Sequence, residues 1–548
     1  MARLRVFHIN DTHSHIDGAS IPLGVSPSGG EDVSVPCGGY ALIHAFVQAE
    51  RAKARAQGVP TLFLHAGDCF EGSLYFSLFG GRADVTLLNR MGLQAMAVGN
   101  HEFDRGDDLL ASFARRARFP ILCSNLAFRD QATEQSPLAR AGKSLIHYGM
   151  TDGAGYIVHP YRDERLALFG LTLPSMADIA APSDALEFLD PHRVAREVVG
   201  HARSAGINKV ILLSHLGIEQ DRSLAAAVPG IGLIVGGHSH TLQGDFSALG
   251  LGVGPEYAEM VGSTLIVQAG QNALSVGTCD LDFDESGRPT LLGGGNTLLF
   301  DFRDRKRLKT LAVRPDQGTG DLYRHLKRQT GAAIVKPDAR FRHLLARKFG
   351  RPVARMRNTT IGSFPRDLAY DRIGRSGDPD SVCTLVVDAM LDEGSRMGVR
   401  GDCAIINAGA VRGSLRRGPV TAGDIHGRLL PFPITLAIVR VSGKDIVRTI
   451  GGALENALLK PGGTGSFPYA AGLSYEYVEE HGKVAVVNVT VRDERTGLPR
   501  PIELASCYVV FVTSYMARGK EGYGPLKSGE QTVTQSLIAD ILVDHLTP

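Results

Sequence analysis

Residues 4–15 read LRVFHINDTHSH, an apolar run that predicts a β-strand over Leu4–Ile9 and ends directly in Asp11, Thr12 and His13. Side chains two residues apart along an extended segment point to the same side. The carboxylate of Asp11 and the imidazole of His13 can therefore bind one ion together. This pattern, a strand that ends in metal-binding side chains, is the basis for predicting both the fold and the site.

Four further segments repeat this design, each an apolar strand that ends in polar residues. They are LFLHAGD with Asp68, AVGNHEFD with Asn100, His101 and Asp104, VILLSH with His215, and LIVGGHSH with His238 and His240. In open α/β sheets, binding sites form where the carboxyl ends of several strands meet. Carboxylate, amide and imidazole groups are the ligands that borderline divalent cations take in proteins. Together the five segments predict a site for two divalent cations.

The residues up to about 300 alternate between apolar runs and helical patterns, which is typical of a layered α/β domain. The predicted strands are Leu4–Ile9, Thr61–His65, Ala95–Val98, Leu166–Leu171, Lys209–Ser214, Gly232–Val235 and Thr264–Gln268. The predicted helices are Ala41–Ala56, Val85–Arg90, Leu109–Arg116 and Pro191–Ser204. The Gly-, Ser- and Pro-rich residues Ile21–Pro36 predict a loop.

The chain has 548 residues, more than the ~100–200 residues of an ordinary domain. Residues 1–300 are predicted to form the first domain. Residues 301–350, which begin DFRDRKRLK, predict a basic helical linker or hinge with a helix over Ala339–Lys348. Apolar runs and helical patterns resume after this segment, so residues 351–548 predict a second α/β domain.

Charge and composition exclude several classes of protein. The 59 basic and 57 acidic residues leave a net charge of +2, which argues against a nucleic acid polymer as partner. No apolar run reaches the ~18 residues of a membrane span. No signal segment precedes the first strand, so a cytoplasmic location is expected, or a periplasmic or secreted one if a leader was removed. Seven cysteines without CxxC spacing predict buried thiols.

In this order, the five segments resemble the calcineurin-like metallophosphoesterases. The whole chain resembles their 5′-nucleotidase/UDP-sugar hydrolase branch, over roughly residues 3–300 and 355–530. The matching motifs are Asp11-x-His13, Gly67-Asp68, Gly99-Asn100-His101-Glu102-Phe103-Asp104, His215 and Gly237-His238-x-His240. The resemblance implies a four-layer α/β-sandwich metallophosphoesterase domain with two metal ions, followed by a second α/β substrate-binding domain.

The resemblance also implies a role for each motif residue. One cation would be held by Asp11, His13 and His240, and the other by Asn100, His215 and His238, with Asp68 bridging both. Many family members have Gln where this chain has His240, so a different metal preference is expected. The cations could be Mn, Zn, Co or Mg. The family's catalytic dyad falls on His101 and Asp104.

The second domain carries stretches that resemble the family's nucleotide-binding loops. They are RSGD with Arg375, NAGAVR with Asn407, Gly409 and Arg412, LPF with Phe432, and SYMARGKEGY with Tyr515 and Glu521. The resemblance implies that Phe432 and Tyr515 sandwich a base and that Asn407 bonds a base or ribose. The arginines can pair with phosphate. The alanines of NAGAVR and the tyrosine at 515 depart from the family's glycines and phenylalanine.

The predicted function is metal-dependent hydrolysis of nucleotide phosphate esters, of the 5′-nucleotidase type, by in-line attack of a metal-bound hydroxide. Activity on 2′,3′-cyclic nucleotides or UDP-sugars also remains open. Because the metal ligands precede residue 241 and the nucleotide residues follow residue 370, catalysis is expected to need closure of the domains. The alternatives are a thiosulfohydrolase-like dinuclear metal hydrolase and a non-catalytic nucleotide-binding relative. Cys69 beside Asp68 is disfavoured as a nucleophile, and the oligomeric state is not predicted.

Overall fold

The computed structural model describes residues 3–23, 33–129, 136–150, 155–302, 319–432, 434–460, 463–480, 482–492 and 498–547. The chain folds as two compact units. The first comprises Met1–Glu71 and Leu78–Arg351, and the second comprises Gly72–Ser77 and Pro352–Pro548. Both units combine helices with sheets, so the predicted α/β class is confirmed.

The strands before residue 351 are β1 (Arg3–Ile9), β2 (Ala19–Leu23), β3 (Val33–Cys37), β4 (Thr61–His65), β5 (Ala95–Ala97), β6 (Ile121–Cys123), β7 (Leu126–Phe128), β8 (Leu145–His147), β9 (Ile157–Tyr161), β10 (Glu164–Thr172), β11 (Leu186–Phe188), β12 (Lys209–His215), β13 (Leu233–Gly236), β14 (Glu259–Val261), β15 (Thr264–Val267), β16 (Ser275–Phe283), β17 (Pro289–Phe300) and β18 (Ala332–Ile334). The α-helices before residue 351 are α1 (Tyr40–Ala56), α2 (Leu74–Phe79), α3 (Arg82–Met91), α4 (Asp107–Arg116), α5 (Met176–Ile179), α6 (Pro191–Ser204), α7 (Ile218–Ala227), α8 (Thr319–Arg328) and α9 (Ala339–Leu345).

Two large sheets form the first unit. One has the order β2-β3-β17-β16-β1-β4-β5-β6-β8, with β18 paired to β17, and its strands β1, β4, β5, β6 and β8 are parallel. The other has the order β14-β15-β13-β12-β10-β9, and β10, β12, β13 and β15 are parallel. Parallel strands end at the same edge of a sheet, so the polar residues that follow them are brought together.

The two sheets pack face to face and helices cover their outer faces. Val6 and Leu62 of the first sheet share one buried cluster with Leu168 and Ile211 of the second. Helices α6 and α7 cover the outer face of the second sheet. On the outer face of the first sheet, Phe63 is buried and the Arg51 guanidinium of α1 lies 5.7 Å from the centre of its ring. These layers form the predicted four-layer α/β sandwich.

Most predicted elements of this unit lie within two or three residues of the observed ones. The strand Thr61–His65 and the helix Pro191–Ser204 coincide with β4 and α6. The α6 helix begins where predicted because the Asp190 carboxylate accepts a hydrogen bond from the Arg193 amide at 2.7 Å, and Pro191 needs no partner for an N–H.

The predicted loop over Ile21–Pro36 is wrong at both of its ends. Strands β2 and β3 pair as an antiparallel hairpin, with Ala19 opposite Cys37 and Leu23 opposite Val33. Prolines are tolerated here because β2 is an edge strand and, in the described part of the chain, β3 pairs with β17 at Cys37, opposite Phe300. The middle of the predicted loop lies outside the described residues.

Part of the basic segment 301–350 belongs to the first unit. After residues 303–318, which lie outside the described part, α8 is followed by β18, and β18 runs parallel to β17. The predicted helix Ala339–Lys348 is observed as α9 followed by a π-helix over Ala346–Gly350.

The second unit has its own core. Its strands are β19 (Thr360–Phe364), β20 (Cys403–Asn407), β21 (Gly418–Thr421), β22 (Thr435–Ser442), β23 (Pro468–Ala471), β24 (Leu473–Glu480), β25 (Lys483–Arg492), β26 (Pro499–Pro501), β27 (Cys507–Thr513) and β28 (Glu530–Leu537). The remaining helices are α10 (Arg351–Asn358), α11 (Val382–Arg396), α12 (Ala422–Asp424), α13 (Gly443–Leu459), α14 (Ser514–Ala517) and α15 (Ile538–Leu546). A mixed sheet of order β23-β20-β27-β22-β28 packs against α11 and α13.

Two further expectations concern cysteines and membranes. All seven cysteines are unpaired, and six are buried as predicted, but Cys507 at the start of β27 is exposed. The prediction of a buried thiol is therefore wrong at Cys507. Across the described ranges, no helix has both the length and the apolar character that crossing a bilayer requires.

Candidate active site

The predicted metal ligands lie at or just after the carboxyl ends of β1, β4, β5, β12 and β13, and they cluster at one edge of the first unit. The side-chain donor atoms of Asp11, His13 and His240 lie within 4.8 Å of one another. The Nε2 atoms of His13 and His240 are 3.1 Å apart, although the two residues are 227 positions apart in sequence. His240 Nε2 also lies 3.4 Å from Asp11 Oδ1. These three residues form one candidate cation site.

A second group of donors adjoins the first. The donor atoms of Asp68, His215 and His238 also lie within 4.8 Å of one another, and Asn100 Oδ1 is 3.0 Å from His238 Nδ1. His215 Nδ1 lies 2.7 Å from the Ala66 carbonyl oxygen, to which it donates. Because Nδ1 is engaged in that hydrogen bond, Nε2 is the nitrogen of His215 that can bind a metal ion.

The chemistry of this donor set fits divalent cations. His215 Nε2 is buried, lacks a hydrogen-bond partner of suitable geometry among the described residues, and lies 3.0 Å from Asp68 Oδ2. Burial lowers the pKa of His215, but the carboxylates of Asp68 and Asp11 outweigh it and raise that pKa to about 9. Buried carboxylates at this point therefore favour a positive charge, which a cation supplies in place of a proton.

The histidines of the site are also suited to metal binding. Burial, together with the charge of His101, lowers the pKa of His13 to about 3. Burial and the charge of His215 lower the pKa of His238 to about 4. Both imidazoles are consequently neutral at neutral pH, which is the state that binds a metal.

Five of the seven predicted ligands have left-handed backbone conformations. The φ angles are 47° at Asp11, 46° at His13, 55° at Asp68, 71° at His238 and 55° at His240. Such conformations are unfavourable for residues other than glycine, and they persist where the surrounding structure enforces them. Their concentration in three loops marks this edge of the sheets as the functional one.

The predicted dyad stands beside this cluster. His101 Nδ1 is 2.5 Å from Asp104 Oδ2, and His101 Nε2 is 3.9 Å from Asp68 Oδ2. Burial lowers the pKa of His101, but the charges of Asp104 and Asp68 outweigh it and hold that pKa well above its ordinary value. The imidazole is thus oriented by one carboxylate with its other nitrogen toward the metal-binding edge.

Sequence reasoning missed the role of Glu102. Its buried carboxylate accepts four backbone hydrogen bonds, two at each oxygen. Oε1 accepts from the amides of Cys69 at 2.8 Å and Phe70 at 3.1 Å, and Oε2 accepts from those of Asp68 at 2.9 Å and Gly99 at 2.7 Å. Glu102 therefore joins the loops that carry Asp68 and Asn100, and its position inside the Asn-His-Glu motif was the available signal.

A second unforeseen residue is Asp84 on α3, which is fully buried. Its Oδ1 accepts a hydrogen bond from the Tyr40 hydroxyl at 3.2 Å, and its Oδ2 accepts one from Ser14 Oγ at 2.9 Å. The Tyr40 hydroxyl in turn lies 3.0 Å from Thr12 Oγ1. Asp84 thereby supports the strained loop after β1, and no local sequence signal marked it.

Cys69 is unsuited to act as a nucleophile, as expected. Burial and the charge of Glu102 raise its thiol pKa well above the ordinary value. The thiol is fully buried, and a protonated thiol is a poor nucleophile.

In the second unit, several predicted substrate residues form one cluster. The Arg412 guanidinium lies 4.7 Å from the centre of the Phe432 ring, a cation–π distance. Burial, followed by the charge of Glu521, raises the pKa of Tyr515, and Glu521 has Arg412 as a further charged neighbour. The cluster thus combines two aromatic rings with charges of both signs.

Asn407 and Gly409 lie on the loop that leads into this cluster. Asn407 Nδ2 donates to the Gly465 carbonyl oxygen at 3.4 Å, while its buried Oδ1 lacks a hydrogen-bond partner among the described residues. A Cβ built on Gly409 would lie 3.1 Å from the Gly465 oxygen, so a larger residue would crowd this loop.

Arg372, which the sequence did not single out, contributes to the cluster. Its Nη1 donates to Thr464 Oγ1 at 3.4 Å, and its charge acts on Arg412 and Glu521. Arg375 is exposed, and in the described part of the chain no hydrogen bond or ion pair joins its side chain to the cluster. Its role stays a prediction. The signal for Arg372 was its place three residues before Arg375.

Comparisons with known proteins agree with the fold. Residues 4–242 match the calcineurin-like phosphoesterase family model, and residues 358–528 match that of the 5′-nucleotidase C-terminal domain. A probable 5′-nucleotidase of Treponema pallidum is 32% identical, over 95% of this chain and 87% of that protein. The NAD 5′-nucleotidase of Haemophilus influenzae is 28% identical, over 95% of this chain and 85% of that protein. The crystal structure of a 5′-nucleotidase precursor from Thermus thermophilus is 30% identical with a TM-score of 0.72, covering 99% of this chain and 96% of that one.

Fold and site together define a metal-dependent phosphoesterase. Within that class, the chain belongs to the 5′-nucleotidase family. The resemblance seen in the sequence is thereby confirmed. The expectation of an enzyme for metal-dependent hydrolysis of nucleotide phosphate esters is also confirmed at the level of the family.

Proposed function

We propose that this protein is a nucleotide phosphohydrolase that works with two divalent cations, and that it removes phosphate from nucleoside 5′-monophosphates. The first unit would carry out the hydrolysis, and the cluster in the second unit would recognise the nucleoside. The observation that carries the proposal is the His101–Asp104 pair, with His101 Nε2 lying 3.9 Å from the carboxylate of Asp68.

Seven side chains would hold the cations. They are Asp11, His13 and His240 for one, Asn100, His215 and His238 for the other, and Asp68 for both. The ions, of which Mn²⁺, Zn²⁺, Co²⁺ and Mg²⁺ are the candidates, would lower the pKa of a bound water and neutralise charge on the phosphoryl oxygens. The nitrogen-rich donor set, with four imidazoles, favours Mn²⁺, Co²⁺ or Zn²⁺ over Mg²⁺.

His101 would serve the leaving group. Asp104 Oδ2 accepts a hydrogen bond from the Nδ1–H of His101 and so holds the ring in one orientation. With its pKa held above the ordinary value, the imidazole carries a second proton at Nε2. That N–H can stabilise a phosphoryl oxygen or protonate the leaving oxygen of the ester.

The second unit would supply nucleoside selectivity. Phe432 and Tyr515 offer faces for a base, which suits stacking that tolerates different bases. The Oδ1 of Asn407, which has no hydrogen-bond partner among the described residues, can accept a hydrogen bond from the ligand. Arg412 offers a guanidinium for phosphate. The proposed substrate is therefore a single nucleotide.

The test is phosphate release by protein reconstituted separately with each of the four cations. The substrates are AMP, UMP, ribose 5-phosphate and phenyl phosphate, with NAD⁺, UDP-glucose and 2′,3′-cyclic AMP assayed in the presence of an added phosphatase. We expect AMP or UMP to exceed ribose 5-phosphate in kcat/KM, and His101→Ala to lower kcat by about 100-fold or more, as for loss of general acid catalysis. Equal kcat/KM for AMP and ribose 5-phosphate would overturn the nucleoside assignment. Unchanged kcat in His101→Ala would overturn the role of the dyad.

A further inference from the structure

Glu71 is a buried carboxylate that the proposed mechanism does not use. It lies three residues after Asp68, and its exposed fraction is 1%. Within the described residues, neither of its carboxylate oxygens has a hydrogen-bond partner. Its φ angle is 66°, so the backbone is held in the left-handed region. A buried carboxyl without a hydrogen-bond partner and a strained backbone are both unfavourable, and their coincidence calls for a compensating interaction.

The surroundings of Glu71 supply that interaction. Arg105 Nε lies 3.7 Å from Glu71 Oε1. Burial and the charge of Asp104 raise the pKa of Glu71 well above its ordinary value, and the charges of Arg105 and His101 oppose that rise. Arg105 and His101 are therefore the cationic groups that favour an ionised Glu71, and the Arg105 guanidinium lies within ion-pair distance of it.

The backbone connects this ion pair to the His101–Asp104 dyad. Arg105 directly follows Asp104, and Asp104 follows a single 3-10 turn over His101–Phe103. In that turn the Asp104 amide donates to the His101 carbonyl oxygen at a long 3.3 Å. So short a turn fixes Asp104 weakly by itself, whereas an ion pair at the next residue restrains it.

We propose that Glu71 is a positioning residue for the His101–Asp104 dyad, acting through the guanidinium of Arg105. Glu71 is absent from the donor groups close enough to share a cation in the described part of the chain. Its effect should accordingly fall on turnover and leave metal binding unchanged. The proposal rests on the proposed function, in which His101 acts on the leaving group.

The test compares Glu71→Gln, Arg105→Gln, Arg105→Lys and the double variant Glu71→Gln/Arg105→Gln. For each we would measure kcat and KM for AMP and for phenyl phosphate, the bound metal, and the midpoint of thermal unfolding. Glu197→Gln and Arg193→Gln are matched controls, because these two residues form a 3.8 Å pair on the exposed face of α6.

We expect Glu71→Gln to lower kcat about tenfold with KM within about twofold of wild type, as for a slightly misplaced catalytic group. Metal content should stay unchanged. Arg105→Gln should be slower than the double variant, because it alone leaves the buried Glu71 carboxyl without the guanidinium beside it. Arg105→Lys should restore part of the lost kcat, which keeps the test decisive if Glu71→Gln folds poorly.

A kcat in Glu71→Gln within about twofold of wild type would overturn the proposal. Loss of bound metal in step with activity would also overturn it, since Glu71 would then support the metal loop instead of the dyad. Failure of the proposed function looks different: wild type would hydrolyse phenyl phosphate but no nucleotide. In that case the kcat comparison on phenyl phosphate still decides the role of Glu71.

Discussion

Glu102 accepts four backbone hydrogen bonds, and replacing its carboxylate should destabilise the protein. In Glu102→Gln, the amide oxygen can still accept two backbone hydrogen bonds. In either orientation of the amide, its NH₂ group faces the other two backbone N–H donors. Those donors are the Cys69 and Phe70 pair or the Asp68 and Gly99 pair. A buried donor left unsatisfied costs about 1–3 kcal/mol, so the free energy of unfolding should fall by about 2–6 kcal/mol.

The assay is urea unfolding of the metal-free protein at pH 8, followed by metal analysis of the reconstituted protein. That pH is chosen because burial and the charge of Asp68 raise the pKa of Glu102 to about 7, so the wild-type carboxylate is ionised. We also expect weaker metal retention, because the Asp68 loop loses part of its support. The control is Glu187→Gln on β11, whose side chain is exposed.

The reasoning would be refuted if Glu102→Gln unfolded within about 0.5 kcal/mol of the Glu187→Gln control and retained full metal content, since surface substitutions stay within that range. A loss of stability in both variants alike would point to the change of charge as the cause. The contrast between the two variants therefore isolates the four backbone hydrogen bonds.

Two further predictions concern pH and the nucleoside. Burial raises the pKa of Asp84 from 3.8 to about 7, so the unfolded chain releases this proton first and the wild type loses stability as pH rises from 4 to 7. Asp84→Asn lacks this titrating group, so between pH 4 and pH 7 its free energy of unfolding should rise relative to that of the wild type by up to about 4 kcal/mol. A difference between the two proteins that does not change with pH would contradict this prediction. Phe432→Ala should raise KM for AMP about 5- to 100-fold through lost stacking, while KM for ribose 5-phosphate, which has no base, should not change. Equal effects on both substrates would contradict stacking.

The fold was largely predictable because its strands are local apolar runs. Most predicted strands and helices of the first unit lie within two or three residues of the observed ones. The β2–β3 hairpin was not predicted because Gly, Ser and Pro favour loops when only the local sequence is considered. Edge position makes such residues acceptable in a strand, and edge position follows only from the pairing of strands far apart in sequence.

The candidate site divides in the same way. The sequence by itself determined which residues stand at strand ends, because the polar residues directly follow the apolar runs. Only the tertiary structure decided that His13 meets His240 across 227 positions, and that Arg372 lies in the Arg412–Glu521 cluster. It also decided the roles of Glu102, Asp84 and Glu71. A buried carboxylate has no periodic signature in a sequence, and its function depends on which donors and charges the packed chain brings to it.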